Sequence, residues 1–228
     1  MPAHDCIHDP ETWQSCWATV CSQGDGQAHR AELIGRYSEP HRAYHTTQHL
    51  NECLNQWAAH QHLARHPQAV YLAIWYHDAI YDTTAHDNEQ ASADLAARHL
   101  SAGGANSTTI QRIQDLVLAT RHAAAPTDPD QQLLVDMDLA ILGADESRFA
   151  QYQQQIRQEY AFVPADLFAQ KRSEVLRGFL SRPNIYATEH FNSILKAAPS
   201  STWPPPSDSK LWPLYLRFSA FFISVTAL

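Results

Sequence analysis

The amino-acid sequence predicts an all-α fold, on three observations. Apolar residues recur at helical spacing along most of the chain. Asp-Pro pairs at 9–10 and 128–129 each join a helix cap to a proline suited to the first helical position. Glycine is scarce, at 7 residues, and no stretch alternates polar and apolar residues between hairpin turns.

The elements follow in order. Asp9-Pro10 opens a helix through Trp13, Trp17 and Val20. Leu50, Cys53, Leu54 and Trp57 share one helical face, which predicts helix over 46–65. Pro67 starts the next, with Val70, Ala73, Ile74 and His77 on one side. Asp87 or Asn88 caps a helix through Ala91, Leu95 and Ala96, which Gly103-Gly104 ends. Asn106 opens another, marked by Ile110, Ile113 and Val117. Asp128-Pro129 opens a helix carrying Leu133, Leu134, Met137 and Ile141. Two more occupy 146–161 and 164–181.

These helices form a single domain over 1–197. The stretch Ala198 to Ser209 is rich in proline and serine and reads as a linker. Leu211 to Leu228 is an atypical apolar tail, barely long enough to cross a bilayer and interrupted by Pro213 and Arg217. A segment packed on the body or a loose end is expected in preference to a membrane span.

With 228 residues, 44% of them hydrophobic, the chain can bury a sizeable core without disulfides or structural metals. A formal charge of -8 argues against a broad nucleic-acid surface, which needs clustered Lys and Arg. It leaves room for a small phosphorylated substrate, because a bound cation reverses the field locally. Cys6, Cys16, Cys21 and Cys53 form no CxxC pair, and no signal peptide precedes them. They read as free thiols in a reducing, cytoplasmic setting.

The 14 histidines are the unusual feature. His-Asp occurs at 4–5, 8–9, 77–78 and 86–87, so the dipeptide alone carries no information. Only His77-Asp78 follows an apolar helix, where an unpaired carboxylate and imidazole would be costly to bury. His45 and His49 are four apart and share a face if both are helical. In VDMDLAILG, the buried stripe centres near ~55° when Leu133 is set at zero, with Asp138 at ~140° and Asp136 at ~300°. Asp138 is the nearer to the stripe and Asp136 the fallback. His49, His77, Asp78 and Asp138 together offer a mixed N/O set suited to Mn²⁺, Fe²⁺, Zn²⁺, Ni²⁺, Co²⁺ or Mg²⁺, with coordination positions left open.

The order H…HD…D, with YSEPHRAYHTTQHL, AIWYHDAIYD, DNEQASA, LATRH, VDMDLAILG and IRQEYAFVP, resembles the HD superfamily of metal-dependent phosphohydrolases. The likeness spans roughly 33 to 185 and is nearest to a bacterial branch of unassigned substrate. It implies an HD-like helical bundle that hydrolyses a small phosphate ester, such as a nucleotide, by metal-activated water. YHTTQHL is also similar to the YHNxxH segment of cyclic-nucleotide phosphodiesterases, with Thr46 in place of Asn. That likeness makes His45 the general acid and His49 a ligand, while Asp78 serves both ligation and catalysis. The tail after 197 departs from the branch, which continues a final helix.

His122 and Asp82 are candidates for a second metal or for support behind the ligands, and Arg42 for holding phosphate. Glu89, Arg157 and Glu159 lie in the resembling stretches and acquire no role from the sequence. A di-iron oxygenase is the rival enzyme and needs about six ligands. A non-catalytic ligand-binding module is the third reading. No phosphate-binding glycine loop or nucleophile elbow is present.

Overall fold

A computed structural model describes residues 5–122 and 125–195. The expected linker and tail over 198–228 lie outside the described residues. The described residues form helices without a strand: α1 (Pro10–Val20), α2 (Gln27–Tyr37), α3 (Thr47–His60), α4 (Pro67–Tyr76), α5 (Asn88–Ala102), α6 (Ser107–Ala119), α7 (Pro129–Asp138), α8 (Glu146–Glu159), α9 (Ala165–Leu180) and α10 (Glu189–Ile194). Short 3₁₀ turns follow α3 and α7, at Gln61–Leu63 and Leu139–Gly143. None of the described helices is long and apolar enough to cross a membrane.

The bundle is built around α4. Every residue from Ala69 to Tyr76 is buried, so this helix is apolar on all sides and α1, α3, α5, α6 and α7 all pack against it. Trp13 of α1 meets Trp75 edge-on at 5.1 Å and stacks on Trp17 at 5.7 Å. Trp57 of α3 packs on Tyr71 at 4.7 Å. Asp130, in the first turn of α7, accepts the amides of Arg65 and His66 at 2.7 and 3.0 Å and the His66 ring at 2.9 Å. One buried carboxylate thus ties the start of α7 to the start of α4 and sets their register.

The caps behave largely as the residue types require. Asp9 accepts two amides of α1, Thr46 one of α3, Asn106 one of α6 and Asp128 two of α7. At α5 the expectation fails in part. Asp87 occupies the cap position without a side-chain bond, and Asn88 instead pairs with both backbone groups of Asp82. α3 stops at His60 rather than 65, and α7 stops at Asp138, which leaves Ile141 on the 3₁₀ turn. α2 carries no expectation from the sequence, because only Leu33 and Tyr37 are buried along it.

The turn before α2 depends on Gly26. Its φ is +67°, and a Cβ there would lie 2.5 Å from the Trp17 ring. Gly26→Ala combines left-handed strain with displacement of a core indole. It is expected to lower stability by about 2 kcal/mol, measured as a shift in urea midpoint at unchanged slope.

Candidate metal centre

Three helix ends meet beside the core. His49 comes from the first turn of α3, His77 caps the C-terminus of α4 with Asp78 directly after it, and Asp138 is the last residue of α7. The α4 and α7 ends bring partial negative charge to the same place as the two carboxylates, which favours a cation there. His49 and His77 are each only 2% exposed.

The donor atoms converge. His49 Nε2 lies 3.1 Å from His77 Nε2, 3.2 Å from Asp138 Oδ1 and 3.5 Å from Asp78 Oδ2. His77 Nε2 lies 3.1 Å from Asp78 Oδ2 and 3.7 Å from Asp138 Oδ1. Ligands ~2.1 Å from one ion sit ~3.0 Å apart at right angles and ~3.4 Å apart at tetrahedral angles. The spacings about His49 and His77 fall near that range, so this buried group could hold one divalent cation, with Asp78 adjoining both histidines. The tautomer of His77 agrees, because its Nδ1–H donates to the Ile74 carbonyl at 2.7 Å and leaves the Nε2 lone pair facing the centre.

The electrostatics are those of tightly paired groups. Burial would push His49 down, but Cys53, Tyr44 and the bonds to Asp138 and Asp78 raise it well above the usual imidazole range. Burial likewise opposes ionisation of Asp78, yet the charges of His77 and His45 hold it well below the carboxylate range. Asp138 is lowered against burial by bonds to His122 and His49. Cys53 joins His49, His77 and Asp138 in the buried group whose donor atoms lie within 4.8 Å of one another, and it was legible only as part of the α3 apolar stripe. Its Sγ is 3.8 Å from both ring nitrogens of His49, so it packs on the ring rather than on one lone pair, and burial raises its thiol pKa.

His45 stands at the rim, with its side chain 19% exposed, and just precedes α3 rather than sharing its face with His49. Its Nδ1 pairs with Glu159 Oε2 at 2.8 Å. Glu159 Oε1 accepts the amides of Ala43, Tyr44 and His45 at 2.8, 2.8 and 2.9 Å, while Oε2 also accepts Tyr81 O–H at 2.9 Å. Burial raises the Glu159 pKa, but the His45 charge and these bonds bring it down to about 2. His122 places Nε2 3.2 Å from Asp138 Oδ2, from a backbone at φ +53°, a conformation uncommon for a residue with a Cβ.

Three expectations require correction. Arg42 does not present its guanidinium to a ligand. Its side chain is fully buried, bonded to Glu39 and to the carbonyls of His45, Asp78 and Ala79 at 3.1, 2.7 and 3.1 Å. Asp82 is turned outward and caps Thr84, because the loop closes through Asn88 instead. Asp136 is buried on the far side of α7, where it accepts the Ala187 and Thr188 amides and the Thr188 hydroxyl at 2.6, 2.8 and 2.6 Å. α7 is covered on two sides, so an inward direction alone does not select the ligand. Glu89 is buried near the centre, with its pKa raised by burial and then by Asp78.

A cleft of about 280 Å³ opens beside Asp138, His122 and His45. Arg121, Arg172 and Arg182 line it. The guanidinium of Arg172 lies 4.6 Å over the Tyr152 ring, and its buried Nη2 has no hydrogen-bond partner among the described residues. No family model, curated protein or solved structure matches the chain.

Two tests follow from this geometry. Asp138→Asn is expected to weaken metal binding at least about tenfold with helical content retained. Asp136→Asn is expected to cost about 2 kcal/mol of stability while metal content stays unchanged. Elemental analysis and urea denaturation separate the two, and equal metal loss in both would return Asp136 to the ligand set.

The second concerns pH. Glu159 falls from an ordinary value of 4.5 to about 2, so as pH drops the unfolded chain takes up its proton first. Its contribution, about 3 kcal/mol, is complete above pH 4.5 and is lost as pH falls through 2. Glu159→Gln is therefore expected to be less stable at pH 7 and to show a flatter decline between 4.5 and 2, read from urea midpoints.

Proposed function

We propose that this chain is an HD-type metal-dependent phosphohydrolase acting on a small phosphate ester, such as a nucleotide. The observation that carries the reading is the meeting of His49, His77, Asp78 and Asp138 from three helix ends, with each histidine Nε2 within 3.7 Å of both carboxylates. Bound there, such an ion would lower the pKa of a water and offset charge on phosphate oxygens.

The chain's own residues supply the rest. Glu159 holds His45 by Nδ1, so that Nε2 is the nitrogen left to give a proton to the leaving oxygen. Glu159 is the positioning residue, locked in turn by three amides and Tyr81. Arg42 fixes the turn after α4 by holding the carbonyls of Asp78 and Ala79 to that of His45. Arg172 and Arg182 line the adjoining cleft and suit a phosphate bound beside Asp138. Tyr152 and Phe179 give that cleft an apolar wall for the remainder of the substrate.

The di-iron oxygenase reading draws support from Asp138 alone, whose two oxygens face His49 and His122. Two ions need about six ligands, and Asp82 is turned away while His45 is engaged by Glu159.

The test is elemental analysis of the purified chain together with hydrolysis of p-nitrophenyl phosphate and a nucleotide panel. Activity is expected to vanish with chelator and return with Mn²⁺. His45→Ala is expected to lower kcat by about 10²–10⁴-fold, and Glu159→Gln by about 10–100-fold, at unchanged metal content. A protein that neither binds a dication nor hydrolyses any phosphate ester overturns the proposal. An iron-dependent visible band without hydrolysis would move it to the oxygenase class.

A further inference from the structure

A second group of ligating side chains lies away from the centre, between α2 and α5. His29 and Glu32 stand three apart on α2, and His99 comes from the last turn of α5. One donor atom from each falls within 4.8 Å of the others. The His29 and His99 rings stack at 4.0 Å with 23° between planes, which sets both imidazole edges side by side. His99 Nε2 is 3.4 Å from Glu32 Oε2, near the spacing of ~3.4 Å between two ligands of a tetrahedral ion.

The surroundings divide the work of each side chain. Arg36 occupies Glu32 Oε1 through Nε and Nη2 at 3.0 and 2.8 Å, while Oε2 faces His99. Buried Tyr76 places its hydroxyl 3.1 Å from His99 Nδ1. That oxygen can accept Nδ1–H and so keep the Nε2 lone pair toward Glu32, the outer support that ligating histidines usually have. His29 is half-buried and Glu32 exposed, so an ion can reach the group from solvent.

We propose that His29, Glu32 and His99 form a second cation site, separate from the HD-like centre, that takes a borderline dication of the zinc class. Two imidazoles and one carboxylate suit that class, with water in the fourth position. The ion would staple α2 to α5. α2 ends at Tyr37, whose hydroxyl accepts the Asp78 amide at 3.2 Å, and Tyr76 directly precedes His77. The staple therefore braces two supports of the centre without touching its ligands.

The experiment uses the full chain, stripped with chelator, dialysed against micromolar zinc and measured by elemental analysis. Wild type is expected to retain about one zinc ion more per chain than His29→Ala. The same difference is expected between Asp78→Ala and Asp78→Ala/His29→Ala, so failure of the HD-like centre reads out separately. Glu32→Gln changes an exposed side chain and is expected to weaken this zinc at least about tenfold. Equal zinc content in wild type and His29→Ala, both folded by circular dichroism, overturns the site.

Discussion

Two carboxylates and two imidazoles cannot be taken out of water separately at acceptable cost, and most of this structure can be understood from that constraint. Asp78 and Asp138 face His49 and His77 across gaps of 3.1 to 3.7 Å, so each group is neutralised by the others. The condition holds only if α3, α4 and α7 end at the same point. α4 provides the fixed reference, because it is enclosed on all sides and cannot rotate without exposing apolar surface. Asp130 then fixes α7 against it at the opposite end, two turns of helix from Asp138.

The segment between α2 and α3 has little regular structure of its own, yet it carries His45. Three of its amides are satisfied by a side chain from α8, and its own Arg42 ties it to the turn after α4. Glu159 collects the amides of 43, 44 and 45, and Arg42 reaches across to the carbonyls of Asp78 and Ala79. An acidic clamp on one side and a basic clamp on the other replace the hydrogen-bond ladder that a helix would have supplied. Such a loop can hold a side chain as firmly as a helix can.

How much of this the sequence discloses depends on the range of the interaction. The all-α class and most helix starts are local properties of caps and spacing, as at Asp9, Asn106 and Asp128. His49, His77, Asp78 and Asp138 are legible as polar groups beside apolar stripes, and the structure brings all four together. Arg42 illustrates the limit, since spacing cannot tell a guanidinium facing phosphate from one facing carbonyls 36 and 37 residues away. Glu159 is hidden for the same reason, its partners lying 114 to 116 residues back along the chain. α2 escapes notice because its apolar stripe is two residues wide, and Asp136 because its partner segment over 187–188 has no pattern of its own.

The long span between Glu159 and His45 also bears on how the protein comes into being. Chains emerge from the ribosome N-terminus first, and distant contacts form late. When His49, His77 and Asp78 have been synthesised, Asp138 is still absent, and the carboxylate that orients His45 arrives later still with the end of α8. A nascent or truncated chain thus holds part of the His/Asp cluster, with His45 not yet paired to Glu159. On the proposed hydrolase reading, chemical competence is in this way postponed until nearly the whole helical body exists to enclose it.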